Sequence, residues 1–550
     1  MILIYEEITR LQFLRQLETV PIVGGINPRF STPRGIKIGI LQLFLFLAAS
    51  STIAADTDQI RQLLQKNTID TRYTNSPRPV RQWELERFYA SREYRPIWEY
   101  GDRLEQLRRA ITQLRGDGLD PDNYLVPSQL TITTPLNEVV ATAIWLQATI
   151  DLQFGLLSRS NIEPIWHYVD SDRGQARQAL IKSMLMKIDD AEKAITSARP
   201  TSPGYQALRN AYLGLLAQSD QRPWPMLPEG KTLRPGDSSF RVSVLRERLI
   251  GEGATFKPRF DRSVFDKELS DAVKHFQFHH SLEVDGLVGK ETLAALNTPR
   301  ETRLGQLRAN LERWRWREAE MEDTMLIVNI AGAYLRYQID GHQVWQTRTL
   351  VGKNSRPTPA LKSVVNYLTF NPDWTIPPTI LKEDTLPEIR KNPNYLSRHH
   401  IKVISYNGQP VDPTIVDWAN PSGILLRQSP GPRNPLGRVA IRFPNPFSVY
   451  LHDTPNKRLF GQTRRAGSSG CVRVEGAVNL TYMLIEQAGS QTPSEVDKLF
   501  SSGLKRNVRL VNGIPLLMDY WTVDVDDAGR VIYQPDIYQL DAALSKALEE

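Results

Sequence analysis

At 550 residues the chain is too long for a single hydrophobic core and implies roughly three to four domains. With 41% hydrophobic and 23% charged residues it lies in the range of water-soluble globular chains, which excludes a disordered or polytopic membrane protein. The excess of 68 basic over 61 acidic residues is spread thinly, and no Lys/Arg run is interleaved with aromatics, so no nucleic acid is expected as a partner.

Arg34 and Lys37 precede an apolar run, Ile38 to Ala49, followed by small residues through Ala55, the pattern of a secretory signal over 34–55. Cleavage after Ala54 or Ala55 gives a soluble exported protein and is the favoured reading; an uncleaved run leaves an inner-membrane anchor. Residues 1–33 are longer than a normal leading segment and carry Glu6, Glu7 and Glu18, as a mis-called start would. Residues 56–222 read as helical, with Leu104, Leu107, Ile111 and Leu114 on one face up to Gly116–Gly118 and a second helix over Val139–Leu157. Trp83, Phe88, Tyr89, Trp98 and Trp166 are expected in the core, and this region is assigned no chemistry.

Pro223, Pro225 and Pro228 make a stiff connector, which puts a linker at 223–232. The unit that follows, 233–298, has Val242, Leu245 and Leu249 on one helix face, then Leu269, Ala272, Val273 and Phe276 on another, and a third short helix after Gly289. So small a domain has little room for a catalytic cleft, so binding is expected of it. His275 and His279 are four apart with no third ligand at suitable spacing, and they read as a solvated helix face; no metal is expected. The runs LRPGDSSFRVSVLRERL and DAVKHFQFHHSLEVDGLVGKETLAALN resemble the three-helix peptidoglycan-binding domain, and the matching residues identify a fold without implying ligand contacts.

After a connecting helix over 299–322 the period changes to that of strands: Met325–Ile330, Ala333–Ile339, Val344–Val351, Val364–Phe370, Val439–Phe443 and Val449–Leu451, with a hairpin turn at Asp340-Gly341. An insertion of about 378–424, with a short helix near Ile380–Arg390, reads as a functional lid.

The chain holds one cysteine, which excludes an internal disulfide and leaves Cys471 to be explained alone. It follows the small residues Ser468-Ser469-Gly470, and Val474, Ala477, Val478, Thr481 and Leu484 share a helical face beyond it, so Cys471 is expected close to a helix N-terminus. That end, with Arg473 nearby, would favour thiolate and draw a free pKa of about 8.5 down by roughly a unit or more. Gly470 would free backbone N–H groups to face a developing oxyanion. A general base is supplied by His452, 19 positions upstream at the end of a strand. The reading is a Cys-His catalytic pair.

The stretch His452 … Ser468-Ser469-Gly470-Cys471-Val472-Arg473 resembles the catalytic signature of the L,D-transpeptidases. GPRNPLGRVAIRFPNPFSVYLHDTP (431–455) and NPDWTIPP (371–378) are similar to its large bacterial members. Ser469 stands where many relatives have His, as in the subgroup with two serines. The resemblance implies a multidomain α+β protein: a helical scaffold domain (56–222), a three-helix peptidoglycan-binding domain (233–298) and a mainly β catalytic domain (323–545) with a lid. It implies that Cys471 attacks the third residue of a donor stem tetrapeptide, expels D-Ala, and passes the acyl group to an acceptor amine in a 3→3 peptidoglycan cross-link, with His452 moving the protons. Gly470 and Cys471 N–H groups are the oxyanion candidates, and Arg473 orients a substrate carboxylate or stabilises the loop. Asp453 orients the imidazole, through its backbone carbonyl rather than its carboxylate, while Tyr450, Trp374 and Tyr395 contact substrate. No cofactor is called for. Partners are stem peptides and glycan strands, with other cell-wall synthesis enzymes, in the periplasm, where a carbapenem would acylate the thiol. The alternatives are an L,D-carboxypeptidase, with water as acceptor, and an inactive peptidoglycan-binding anchor.

Overall fold

The computed structural model describes residues 56–66, 76–98, 102–124, 134–167, 173–218, 222–257, 260–392, 394–526 and 528–549; the segment read as a signal, 34–55, lies outside them. Residues 60–549 belong to one compact unit, and 56–59 are helical. No helix among the described residues is long and apolar enough to cross a membrane.

The helical N-terminal region is built around α1 (Pro135–Phe154), which starts where Thr134 accepts the Asn137 N–H at 3.2 Å and Pro135 sets the first turn. It is apolar almost all round because it is the central helix, with Val139, Ile144, Trp145 and Leu146 all fully buried. Phe88, Tyr89 and Trp98 pack on it as expected, whereas Trp83, expected in the core, is 42% exposed. Next come α2 (Pro203–Leu216) and a three-helix domain of α3 (Phe240–Gly251), α4 (Lys267–His279) and α5 (Lys290–Leu296), whose core holds Val242, Leu245, Leu249, Leu269, Val273 and Phe276. Buried Gln277 closes its turn, accepting the Gly286 N–H and donating to Asp285, each at 2.8 Å.

Helix α6 (Arg300–Glu318) is rich in charge and yet buried, with Glu312, Arg313 and Arg315 all at 0% exposure. Buried charges persist only when paired. Arg315 pairs with Glu312 at 2.6 Å, and Arg313 Nε meets Glu163 at 2.6 Å while its Nη1 meets Asp541. Glu163 also accepts from Arg159 at 3.0 Å, and Arg159 reaches Asp519. This ionic cluster ties the helical region to the β domain. Just beyond it the chain crosses over, with His167 N–H donating to Ala360 at 3.0 Å and Ala360 N–H to Ile165 at 2.7 Å.

The β domain comprises β1 (Met325–Asn329), β2 (Tyr334–Ile339), β3 (His342–Gly352), β4 (Leu361–Phe370), β5 (Trp374–Thr375), β6 (Ile401–Ser405), β7 (Ile424–Gln428), β8 (Val439–Arg442), β9 (Leu451–His452), β10 (Ala466–Ser468), β11 (Val472–Val474) and β12 (Arg506–Asp519). Nine of them form one sheet in the order β10-β3-β11-β9-β8-β4-β12-β1-β2, which closes because β3 also pairs with β2. The β2–β3 turn uses Asp340 and Gly341, both with positive φ (51° and 77°), the signature of a tight hairpin. The insertion between β5 and β7 has its own three-stranded sheet and a small core of Ile376, Leu386, Ile389, Leu396, Ile401, Val403 and Leu426 around α7 (Leu386–Lys391). Helices α8 (Ala477–Ala488) and α9 (Pro493–Ser501) cover the sheet. The hairpin β13 (Val523–Val525) with β14 (Val531–Tyr533) packs on α2 and α4, and α10 (Asp541–Glu549) returns Leu544 and Leu548 to the N-terminal core.

Candidate active site

Strands β9 and β11 run parallel, with Leu451 opposite Val472 and His452 opposite Arg473. Residues two apart share a face. Leu451, Val472 and Val474 turn into the core at 0–1% exposure, and Tyr450, His452, Cys471 and Arg473 line one cavity of about 440 Å³. Ser468, Ser469, Gly470 and Trp374 line it too. Continuing that register puts Cys471 opposite Tyr450, so Cys471 and His452 are diagonal neighbours on adjacent strands and open onto the same cavity.

The loop before Cys471 is fixed by its own small residues. Gly470 has φ 108°, a conformation that any side chain would strain. Ser468 Oγ donates to the Cys471 carbonyl at 2.5 Å and accepts the Gly470 N–H at 3.2 Å. Buried Thr358 donates to the Gly470 carbonyl at 2.8 Å and accepts the Gly352 N–H at 2.8 Å, while its own N–H donates to the Tyr538 hydroxyl at 2.9 Å. Gly352 is obligatory there, since a Cβ would stand 2.3 Å from the Arg356 carbonyl.

The structure corrects three expectations. Cys471 is not at a helix N-terminus: the chain goes into β11, because Val472 and Val474 alternate as strand residues, and α8 begins only at Ala477 after Gly476, whose φ is 69°. The thiol is accordingly not drawn down. Burial pushes it above its ordinary value, outweighing the Tyr450 N–H and hydroxyl donors and the charges of Arg442 and Arg473. Second, the Gly470 N–H, expected to be free, is engaged by Ser468, whereas the Cys471 N–H has no protein acceptor among the described residues. Third, Tyr395 lies outside the cavity lining, in the insertion's own core with its ring 4.4 Å from that of His399.

His452 is 4% exposed and donates from Nδ1 to the Asp453 backbone carbonyl at 2.5 Å. The Asp453 carboxylate faces elsewhere, accepting the Arg438 N–H at 2.9 Å and pairing with Lys457. Burial, then the charge of Arg473, push the imidazole down to about 3. At neutral pH both members of the pair are therefore uncharged. The sulfur's hydrogen-bond partners are Tyr450 and the Ser448 carbonyl, the latter at 3.9 Å; none runs to His452 among the described residues. The Tyr450 ring lies edge-on to the imidazole, 5.6 Å between centroids, and over it sits Arg442 at 4.0 Å.

Residues that sequence reasoning missed complete the walls. Pro164, Ile165 and His167 come from the helical region, Arg356 and Pro357 from the β3–β4 loop, and Thr379 and Ile380 from the insertion. A larger cleft of about 940 Å³ between the three-helix domain and the sheet, lined by Leu282, Arg348 and Arg465, holds no cysteine or histidine. His275 and His279 face each other, Nε2 to Nε2 at 3.2 Å, and no group of three metal-ligating side chains occurs among the described residues.

Comparison with known proteins follows the same division. Residues 323–485 match the family model described as "L,D-transpeptidase catalytic domain", 84–211 the "Scaffold domain" and 240–296 the "Putative peptidoglycan binding domain". The chain is 34% identical over 225 residues to a Haemophilus influenzae protein named "Putative L,D-transpeptidase", a match that covers 40% of this chain and 45% of the relative, so it spans less than half of that relative's length. Solved structures of an L,D-transpeptidase from Mycobacterium smegmatis (13% identity, 36% of this chain and 58% of that one, TM-score 0.17) and one from Stackebrandtia nassauensis (13%, 54% and 96%, TM-score 0.21) are similar at scores too low to bear on this chain.

Proposed function

We propose that this chain, which carries an L,D-transpeptidase catalytic domain joined to a peptidoglycan binding domain and a scaffold domain, is an exported transferase that forms 3→3 cross-links in peptidoglycan. The observation that supports this most is the convergence of Cys471, His452, Tyr450 and Arg473 in one cavity from two adjacent strands.

With a neutral thiol and a neutral imidazole, the reading is concerted: the Cys471 sulfur attacks the donor carbonyl as His452 Nε2 takes its proton. Hydrogen bonds at such sites tighten when substrate is bound, which allows the diagonal gap to close. The Cys471 N–H faces the growing oxyanion, worth about 3 kcal/mol in comparable sites. The carbon–nitrogen bond then breaks, His452 returns the proton to the departing D-Ala amine, and a thioester remains. An acceptor amine gives a proton to Nε2, forms the new amide bond and releases the thiol, which regains that proton. The insertion acts as a lid, with Thr379 and Ile380 beside Trp374 at the cavity edge, holding water off the thioester. Export through the 34–55 segment to the periplasm belongs to the same proposal.

The test is to incubate wild type and Cys471→Ala with purified disaccharide tetrapeptide and weigh the products. A cross-linked dimer from wild type alone is expected. Tripeptide alone would replace the reading with hydrolysis, and equal product from both proteins would remove Cys471 as nucleophile.

A further inference from the structure

The two charged side chains that line the cavity, Arg356 and Arg473, are both cations, and no Asp or Glu lines it. Arg473 has no ion-pair partner among the described residues, and its Nε, shut off from solvent, has no hydrogen-bond acceptor. A cation kept partly buried without a counter-charge costs free energy until an anion arrives. Arg356 presents the opposite state. Its guanidinium donates from Nε to Glu383 at 3.1 Å, from Nη2 to Asp384 at 3.0 Å, and from Nη1 to Ser469 Oγ at 2.9 Å.

These two acids belong to the insertion. They are consecutive on a single π-helical turn, Leu381–Thr385, and that wide turn brings both carboxylates onto one guanidinium. The Arg356 side chain is only 11% exposed, whereas those of Glu383 and Asp384 are 55% and 47% exposed. The arginine is thus a fixture of the cavity and the acids reach it from the solvent edge. Its backbone is equally fixed, by a turn bond from Arg356 N–H to Lys353 at 2.8 Å and by the Thr358 network two residues on. A planar guanidinium is suited to bidentate carboxylate binding. The same group touches the loop that carries Cys471 and the insertion that covers it.

We propose that Arg356 is a carboxylate-binding, specificity-determining residue for the peptide substrate, and that Glu383 and Asp384 occupy it in the free enzyme as stand-ins for a substrate carboxylate. A carboxylate of the incoming peptide displaces them, and the displacement loosens the insertion from the Ser469 loop, so entry of the correct ligand opens its own lid. Naming that ligand as a stem peptide rests on the transpeptidase reading; the receptor itself does not.

The single thiol makes this testable without turnover. Cys471 is alkylated with iodoacetate, which carries a carboxylate, and with iodoacetamide, which does not, and the ratio of the two rates is read. In E383Q/D384N the ratio rises about two- to fivefold over wild type, the scale of an exposed ion pair; in R356A it falls below wild type, and R356K lies between. An unchanged ratio in E383Q/D384N overturns the proposal, and the double variant changes only half-exposed side chains, so its fold is not at stake. In a second arm, E383Q/D384N lowers KM for tetrapeptide with a free terminal carboxylate more than it lowers KM for the amidated peptide; equal effects on both overturn it. Absence of any cross-linked product from wild type would sink the transpeptidase reading while the alkylation ratio still decides the receptor.

Discussion

The imidazole of His452 donates a hydrogen bond from its Nδ1–H to the backbone carbonyl of Asp453 at 2.5 Å, which leaves Nε2 as the lone-pair nitrogen. A carbonyl oxygen can only accept, so the tautomer is set by the residue next in sequence. The ring is buried beside a positive Arg473, and it stays neutral down to about pH 3.

That depression makes stability depend on pH with a definite sign. Above about pH 6.5 the imidazole is neutral both folded and unfolded, and its full contribution is present. As pH falls below that value the unfolded chain takes the proton while the folded one does not until about pH 3, so stability is lost across that window at up to ~1.4 kcal/mol per pH unit. Urea unfolding of wild type and His452→Gln between pH 7 and 4.5 checks this. The wild type should lose stability more steeply than the variant; parallel slopes would show that His452 is not held neutral.

Burial raises the thiol, and this too is measurable because Cys471 is the chain's one cysteine. Alkylation by iodoacetamide should rise with pH along a curve whose midpoint lies above the free-thiol value of about 8.5. Tyr450→Phe removes a hydroxyl donor to the sulfur and should move the midpoint further up. A wild-type midpoint at or below 7 would mean a resting thiolate and a different proton inventory for the attack.

The sequence made the chemistry easier to see than its support. Small residues before a lone cysteine, an arginine after it and a histidine at a strand end are local features, and they are legible as such. The misleading signal at Cys471 is also local: Val474 fits a helical period with Ala477 and Leu484, but the backbone turns at Gly476, and the alternation of Val472 and Val474 belongs to a strand. Strand β12 has no clean alternating pattern because Gly513 and Pro515 interrupt it, and the ladder shifts register between Arg509 and Ile514. Thr358, Arg356 and His167 carry no motif at all; they become part of the site through contacts to residues far away in the chain.

Thr358 is the strongest instance of that hidden support. Its hydroxyl both holds the Gly470 carbonyl and accepts the Gly352 N–H, at 0% exposure. Thr358→Val keeps shape and loses both bonds, leaving a buried N–H and C=O unpaired, which costs roughly 1–3 kcal/mol. Thr358→Ser keeps the bonds and should restore most of the loss. If the loop is held as argued, acylation of Cys471 by a β-lactam slows in the valine variant and recovers in the serine variant. Equal acylation rates in all three proteins would show that the loop keeps its form without Thr358.

The buried ionic cluster has the largest predicted effect and acts at a distance. Arg313 neutralises Glu163 at 2.6 Å and Asp541; Arg313 and Glu163 are fully buried and the Asp541 side chain is 15% exposed, and Glu163 lies just before the segment that supplies Pro164, Ile165 and His167 to the cavity. Arg313→Met removes the shared cation, leaving Asp541 without an ion pair and Glu163 with Arg159 alone, a change worth about 3 kcal/mol. A triple replacement, Arg313→Met with Glu163→Gln and Asp541→Asn, removes the charges together and should be less destabilising than the single change, since buried pairs contribute little net stability. Thermal unfolding of the single and triple variants decides this. A single variant as stable as wild type, or a triple variant worse than the single, would show that the cluster is not what joins the helical region to the sheet.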